Sequence, residues 1–279
     1  MPELLHSSRR SARPPITSAQ VAGALSTQAR VTKALILRDA KSRYGEHKLG
    51  FVWAFLEPAL MVSIFVAMFT LMGRSSAGGM PIQLFMITGF VPFMMFREPM
   101  SQLQGAITQN KSLLGFPQVT TFDVISARAL LEVAVLATVF VVLITAAHIG
   151  GVEVRVQNPL GVLAACTLLA LFGVGVGFAL ACVVPLVPSL KQFMNVALGR
   201  PLFFGSGLFY TADSIPQPYR DYLLLNPLLH MIELLRSSFF YSFETAHGSW
   251  RYAIEATIAS LAFGLLVHQA MKRRAIVGL

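Results

Sequence analysis

The stretch Arg38-Asp-Ala-Lys-Ser-Arg-Tyr-Gly-Glu-His-Lys-Leu-Gly-Phe-Val-Trp-Ala-Phe-Leu-Glu-Pro-Ala-Leu60 decides the fold. A basic, helix-prone segment runs directly into a long apolar one, with Trp53 at the join. Basic residues beside an apolar span orient it with the basic side in the cytoplasm, and Trp favours the membrane–water interface, where its ring is half wet. The chain therefore enters a bilayer here, from the cytoplasmic side.

Composition extends this to the whole chain. Of 279 residues, 55% are hydrophobic and 13% charged, against about 25% charged in soluble domains. Mean hydropathy is +0.65. The net charge of +9 gathers at membrane edges and in the N-terminal region, without a nucleic-acid-binding motif, so nucleic acid is not an expected partner. Cys166 and Cys182 fall in one apolar segment, about 24 Å apart on a helix, beyond disulfide reach; they read as small apolar packers. The first apolar run comes too late for a cleavable signal peptide.

Residues 1–26, rich in Ser, Arg, Ala and Pro, read as a flexible cytoplasmic arm. Residues 27–48 read as a basic amphipathic helix on the inner membrane surface, with Lys33, Leu37, Ala40 and Tyr44 on one face. Apolar segments follow at 52–72, 82–104, 124–149, 160–184, 193–212 and 253–271. The first is long enough for the ~30 Å of hydrocarbon. Basic residues crowd the N-terminal region and the closing Lys272-Arg273-Arg274, whereas the first and third loops carry only Arg74 and Arg155. Both ends are then cytoplasmic, which requires an even number of spans. The expected fold is a single all-α membrane domain over 27–279.

The connection 213–247 is long for an unstructured loop, and its apolar pieces are too short to span. Re-entrant or interfacial helices suit it, one beginning at Asn226 as N-cap with Pro227 at the first helical position.

No GxxxxGK[ST] loop, HExxH, GxSxG or paired-Cys spacing occurs, and the six histidines are scattered. Neither catalysis nor a metal site is expected. Ionisable groups inside spans are costly and therefore informative. Arg128 and Glu132, four apart, can pair with each other. Arg200 stands alone near Phe203, Phe204, Phe209 and Tyr210. It reads either as the lining of an anionic path, with rings that contact sugars, or as part of ordinary packing. Glu233 and Arg236, three apart, are either an intrahelical pair or a gate contact. Gly173, Gly175 and Gly177, two apart, read as close packing or local bending rather than one GxxxG face.

Several blocks resemble the membrane subunits of ABC polysaccharide exporters. They are Arg38-Asp39 … Arg43-Tyr44-Gly45 … Leu49-Gly50 … Trp53 … Glu57-Pro58; Gly89-Phe-Val-Pro-Phe93; Asn110-Lys-Ser-Leu-Leu-Gly-Phe-Pro-Gln-Val119; and Asn226-Pro227-Leu228 … His230 … Glu233 … Arg236. Within that family the chain is most similar to the group 2 capsule export permeases of the bacterial inner membrane; O-antigen and teichoic-acid permeases share the motifs. The resemblance implies the ABC transporter type-2 permease fold, a homodimer, and two copies of a separate cytoplasmic ATPase that uses ATP and Mg, with no cofactor on this chain. It implies a lipid-linked acidic polysaccharide as cargo and periplasmic and outer-membrane export machinery as further partners. Lys111, Leu113, Leu114, Phe116 and Pro117 match the coupling helix, and Arg38, Arg43 and Tyr44 the interface helix. Asn226, Pro227, His230, Glu233 and Arg236 match the periplasmic gate region. A drug-exporter permease is the first rival. A membrane-embedded enzyme lacks a catalytic cluster here, and a proton-coupled secondary transporter would show repeated halves, which this chain does not.

Overall fold

The computed structural model describes residues 18–44, 50–74, 76–116 and 118–277. Helix α1 is Ser18–Tyr44, and α2 Gly50–Leu71. A small antiparallel hairpin follows, β1 (Ser76–Ala77) paired with β2 (Met80–Pro81). Next come α3 (Ile82–Leu103), α4 (Ala106–Gln109), α5 (Thr121–Ile149) and α6 (Pro159–Val183). Short α7 (Ser189–Phe193) and α8 (Gly199–Gly205) are joined by a π turn, Met194–Leu198. The chain ends with α9 (Tyr219–Leu223), α10 (Pro227–Phe239) and α11 (Trp250–Val277).

Among the described residues, four helices are long and apolar enough to cross a membrane: Val52–Leu71, Thr121–Ile149, Pro159–Val183 and Trp250–Ala275. Local chemistry sets their ends. Thr120 and Asp123 form a capping box, each side chain bonded to the other's backbone N–H, so α5 starts ahead of the expected residue 124. Asn158 caps α6, its Oδ1 accepting from the Gly161 N–H at 3.0 Å, with Pro159 at the first position.

α3 is the central helix, buried along most of its length among α2, α5, α6 and α10. The α6 glycines explain how close the packing is. A Cβ on Gly173 would strike the Phe96 backbone and one on Gly177 would meet the Pro99 carbonyl, both on α3, while one on Gly175 would meet Ser260 and Leu261 on α11. Gly173 and Gly177 are four apart and do share a face, so part of the expectation fails. The stripe is a small-xxx-small contact with α3, and Gly175 between them serves the neighbouring helix.

Two hydrophobic clusters divide the bundle. One joins Leu35 of α1, Leu103, Ile107, Val124, Cys182 and Ala275. It places α1, the α3–α5 connection and the end of α11 together, at what is called here the basic end. The larger cluster fills the rest, including α10.

Two expectations need correction. The segment 193–212 is not one continuous helix: it begins at Ser189, widens through the π turn and stops at Gly205. Gly207, at φ +75°, then turns the chain back, a conformation that suits glycine. Phe209 and Tyr210 lie beyond the helix. The N-terminal helix also starts earlier than expected, inside the stretch read as a flexible arm. It starts at Ser18, where an Ala-rich run favours helix. Among its described side chains, Leu35 and Asp39 are buried, while Leu37 is exposed. Residues 1–17, and with them most of the expected arm, lie outside the described residues.

Candidate functional site

The helix α10 carries four buried polar residues, His230, Glu233, Arg236 and Ser238. Asn226 caps it, Oδ1 accepting from the Leu228 N–H at 3.1 Å, and Nδ2 donates to the Gly205 carbonyl and Ser206 Oγ. One turn on, His230 Nε2 donates to the Leu224 carbonyl at 2.8 Å and Nδ1 accepts from the Ser249 N–H; a proton on Nε2 satisfies both. Glu233, 1% exposed, accepts from the Ala212 N–H at 3.0 Å and from Thr245 Oγ1 at 2.8 Å.

Arg236 is fully buried. Its Nη1 donates to the carbonyls of Gly207 (2.6 Å) and Tyr210 (3.2 Å), and its Nη2 to those of Leu208 (3.0 Å) and Phe85 (3.2 Å). Burial pushes its pKa down to about 9 while Glu233 acts to raise it, which leaves the group charged at neutral pH. Gly89 makes this possible, since a Cβ there would strike Nη2 of Arg236. Glu233 and Arg236 thus find their hydrogen bonds off their own helix. One holds Ala212 and Thr245; the other holds the turn 207–210 and α3. The result is a polar latch that ties the end of the 189–205 segment to α10.

The aromatic residues split into two environments. Phe203 and Phe209 stand 5.4 Å apart between ring centroids and join Phe65 of α2 and Phe90 and Phe93 of α3. Phe204 projects outward, 63% exposed, and Arg200 is exposed on the same short helix with no ion-pair partner among the described residues. The Tyr210 hydroxyl donates to the Phe204 carbonyl at 2.9 Å. Phe209 and Tyr210 line an open cavity of about 280 Å³ with Phe69, Arg74 and Phe85, and the Arg74 guanidinium lies 5.9 Å from the Phe69 ring centroid. Of the five expected path residues, Phe203, Phe204, Phe209 and Tyr210 touch one another; Arg200 and Phe204 are the exposed ones.

At the basic end, α1 lies along α5. Gln28 hydrogen-bonds Asp123, Leu35 packs into the basic-end cluster, and Asp39 pairs with Arg128 at 3.5 Å. Residues 28, 31, 35 and 39 form one helical stripe, displaced from the face through Lys33 and Leu37. The carboxylate that Arg128 meets here comes from α1. Arg128 also donates to the Gln102 carbonyl at 3.4 Å, so one guanidinium ties α1, α3 and α5 together around a polar cavity of about 240 Å³. Arg38, Ser42, Gln109 and Asn110 complete its lining. The loop between α4 and α5 carries a 3₁₀ turn, Leu113–Gly115. Leu113 and Leu114 are half-buried against the basic-end cluster, Lys111 is exposed, and Phe116 is 61% exposed. Pro117 lies outside the described residues, as do the side chains of Arg43 and Tyr44, whose backbone closes α1.

Sequence reasoning missed Asp39 as a partner, Arg74, and the ligands of α10 at Thr245 and Ser249. Asp39 carried a signal: it is an acid within a run of bases. The backbone carbonyls that Arg236 binds carried none.

Four helices of membrane length among the described residues and a buried polar latch on α10 are what the comparisons have to account for. Residues 30–240 match the ABC-2 type transporter family, and the chain belongs to that family of ABC transporter membrane proteins. Among curated proteins it is 30% identical over 237 residues to the polysialic acid transport protein KpsM of Escherichia coli, covering 85% of this chain and 92% of that protein. It is 32% identical over 243 residues to the capsule polysaccharide export inner-membrane protein CtrC of Neisseria meningitidis serogroup A, covering 86% and 90%. It is 27% identical over 243 residues to the capsule polysaccharide export inner-membrane protein BexB of Haemophilus influenzae, covering 87% and 91%.

Proposed function

We propose that this chain is the membrane subunit of an ATP-driven exporter that carries a lipid-linked acidic capsular polysaccharide across the bacterial inner membrane. The observation that carries this reading is the likeness to one polysialic acid transport protein and two capsule polysaccharide export proteins along at least 85% of the chain. In this reading α2, α3, α5, α6, the 189–205 segment and α11 cross the bilayer, with both termini cytoplasmic and 213–247 re-entrant at the outer mouth. The common cluster of Leu35 and Ala275 supports an even number of crossings, because it joins the first helix and the last at one end.

The chain works as a homodimer with two copies of a separate ATPase, which binds ATP and Mg. The exposed Phe116 and Lys111, together with α1, form the surface that the ATPase pushes. Asp39 and Arg128 pass that displacement to α5 and α3, because the pair joins α1 to both. At the opposite end, the latch around Glu233 and Arg236 fixes where the 189–205 segment ends while Arg200 and Phe204 face the polymer. Arg200 draws carboxylates or phosphates on the glycan by charge, and the rings offer apolar contact to sugar faces. Periplasmic and outer-membrane machinery takes the polymer onward.

Deleting the gene in its own host tests the reading. Surface polysaccharide should disappear while lipid-linked polymer accumulates inside, with recovery on re-expression. Normal surface polymer in the deletion strain would overturn it.

A further inference from the structure

A groove runs along the outside of α5, α6 and α11, an open cavity of about 510 Å³, within the ~300–1,000 Å³ range of small-ligand sites. Its floor is Ala129 and Ala170, both buried, and its rims are Phe122, Leu130, Leu171 and Leu265. Of the two hydroxyls beside it, that of Thr167 is already donated to the Leu163 carbonyl at 2.7 Å. Nothing here calls for a polar ligand.

Two features say what fits. From Phe122 to Val133 along α5 the groove is about 16 Å long, roughly half the ~30 Å hydrocarbon core; this is the depth of one leaflet. One end is also charged. The rings of Phe122 and Phe178 lie 6.1 and 5.9 Å from that of His268, which hydrogen-bonds Thr121 Oγ1 at 2.9 Å. One turn beyond His268, α11 carries Lys272, Arg273 and Arg274, both arginines exposed. Asp123, two residues from Thr121 at the start of α5, is engaged within the α5 cap and by Gln28.

We propose that this groove binds one anionic phospholipid of the leaflet on the Lys272–Arg274 side, with its acyl chain along Ala129 and Ala170 and its phosphate on the basic end of α11. That leaflet is the cytoplasmic one in the topology proposed above, but the site does not depend on the transported cargo.

The test uses the full chain, delipidated in detergent and titrated with dioleoyl-phosphatidylglycerol or dioleoyl-phosphatidylcholine, with bound lipid counted by native mass spectrometry. Wild type should prefer phosphatidylglycerol by about tenfold, on the scale of a few basic contacts to an anionic headgroup. Ser126→Phe, which fills the groove from its side, should lower the affinity for both lipids by about tenfold or more, the loss of several buried methylenes. Thr167→Phe fills it from α6 and serves as a second variant should the first unfold. The triple change Lys272→Gln, Arg273→Gln, Arg274→Gln should abolish the preference and leave phosphatidylcholine binding as it was. Equal binding of the two lipids by wild type would overturn the proposal, as would undiminished binding by a folded groove-filling variant. A groove-filling variant that alters oligomeric mass and leaves lipid binding unchanged would assign the groove to a second copy of the chain.

Discussion

The guanidinium of Arg236 lies over the ring of Phe85, 3.8 Å from its centroid, and donates to the carbonyl of that same residue at 3.2 Å. Helix α10 is thereby fastened to the start of α3 by stacking and hydrogen bonding at once, a combination that the planar arginine fork permits and a lysine ammonium does not. Arg236→Ala strands buried carbonyls and leaves a void, so stability should fall by about 3 kcal/mol or more. Arg236→Lys keeps the charge but cannot span the fork and should fall between. Thermal unfolding in detergent gives the ranking; equal midpoints for wild type and Arg236→Ala would remove the latch.

The Asp39–Arg128 pair joins α1 to α5. Both side chains are largely buried, so breaking the pair should cost about 1–3 kcal/mol in a double-mutant cycle. If the pair also transmits motion, Asp39→Asn should lower export more than it lowers ATPase binding. Export assays alongside co-purification separate the two, and parallel losses would assign the pair to structure alone.

Phe116 and Leu114 make a matched comparison. Phe116 is mostly exposed, whereas Leu114 is half-buried against the basic-end cluster. Phe116→Asp should leave the unfolding midpoint within about 0.5 kcal/mol of wild type, as surface changes do, and weaken capture of the ATPase. Leu114→Asp should do both kinds of damage. Unchanged capture by the Phe116 variant would move the docking surface elsewhere.

Arg200 is exposed and without an ion-pair partner among the described residues. Arg200→Ala should therefore be neutral for stability, within about 0.5 kcal/mol, and should reduce export of an acidic polymer. Wild-type surface polymer in that variant would exclude the residue from the path.

What was legible in the sequence was what depends on local chemistry. The apolar runs located α2, α3, α5, α6 and α11 within a few residues, and Asn226-Pro227 marked the start of α10, because caps and hydrophobic length are written in neighbouring residues. The 189–205 segment was misjudged because apolar character continues past Gly205, while the turn at Gly207 is imposed by carbonyls held on Arg236. The face of α1 that packs on α5 was not legible for a related reason. Its periodicity offered several stripes, and the one chosen in the fold contains Asp39, whose partner lies 89 residues away, at 128 − 39 in sequence. The site residues were found in their groups, but not their environments: Phe203 and Phe204 are adjacent in sequence, yet one packs inward and the other faces out.

The glycines of α6 divide the molecule mechanically. Along one edge, backbone touches backbone at Gly173 and Phe96; along another, a Cβ on Gly264 of α11 would strike the Gly175 carbonyl. Helices this close cannot slide past each other without collision, so α3, α6 and α11 form a stator. Helix α2 is held differently, packing mainly on α3 with no part in these glycine contacts, and the 189–205 segment is interrupted by its π turn. In the proposed exporter, a stroke from a partner ATPase would be taken up by those looser parts, working against a frame whose stiffness comes from side chains that are not there.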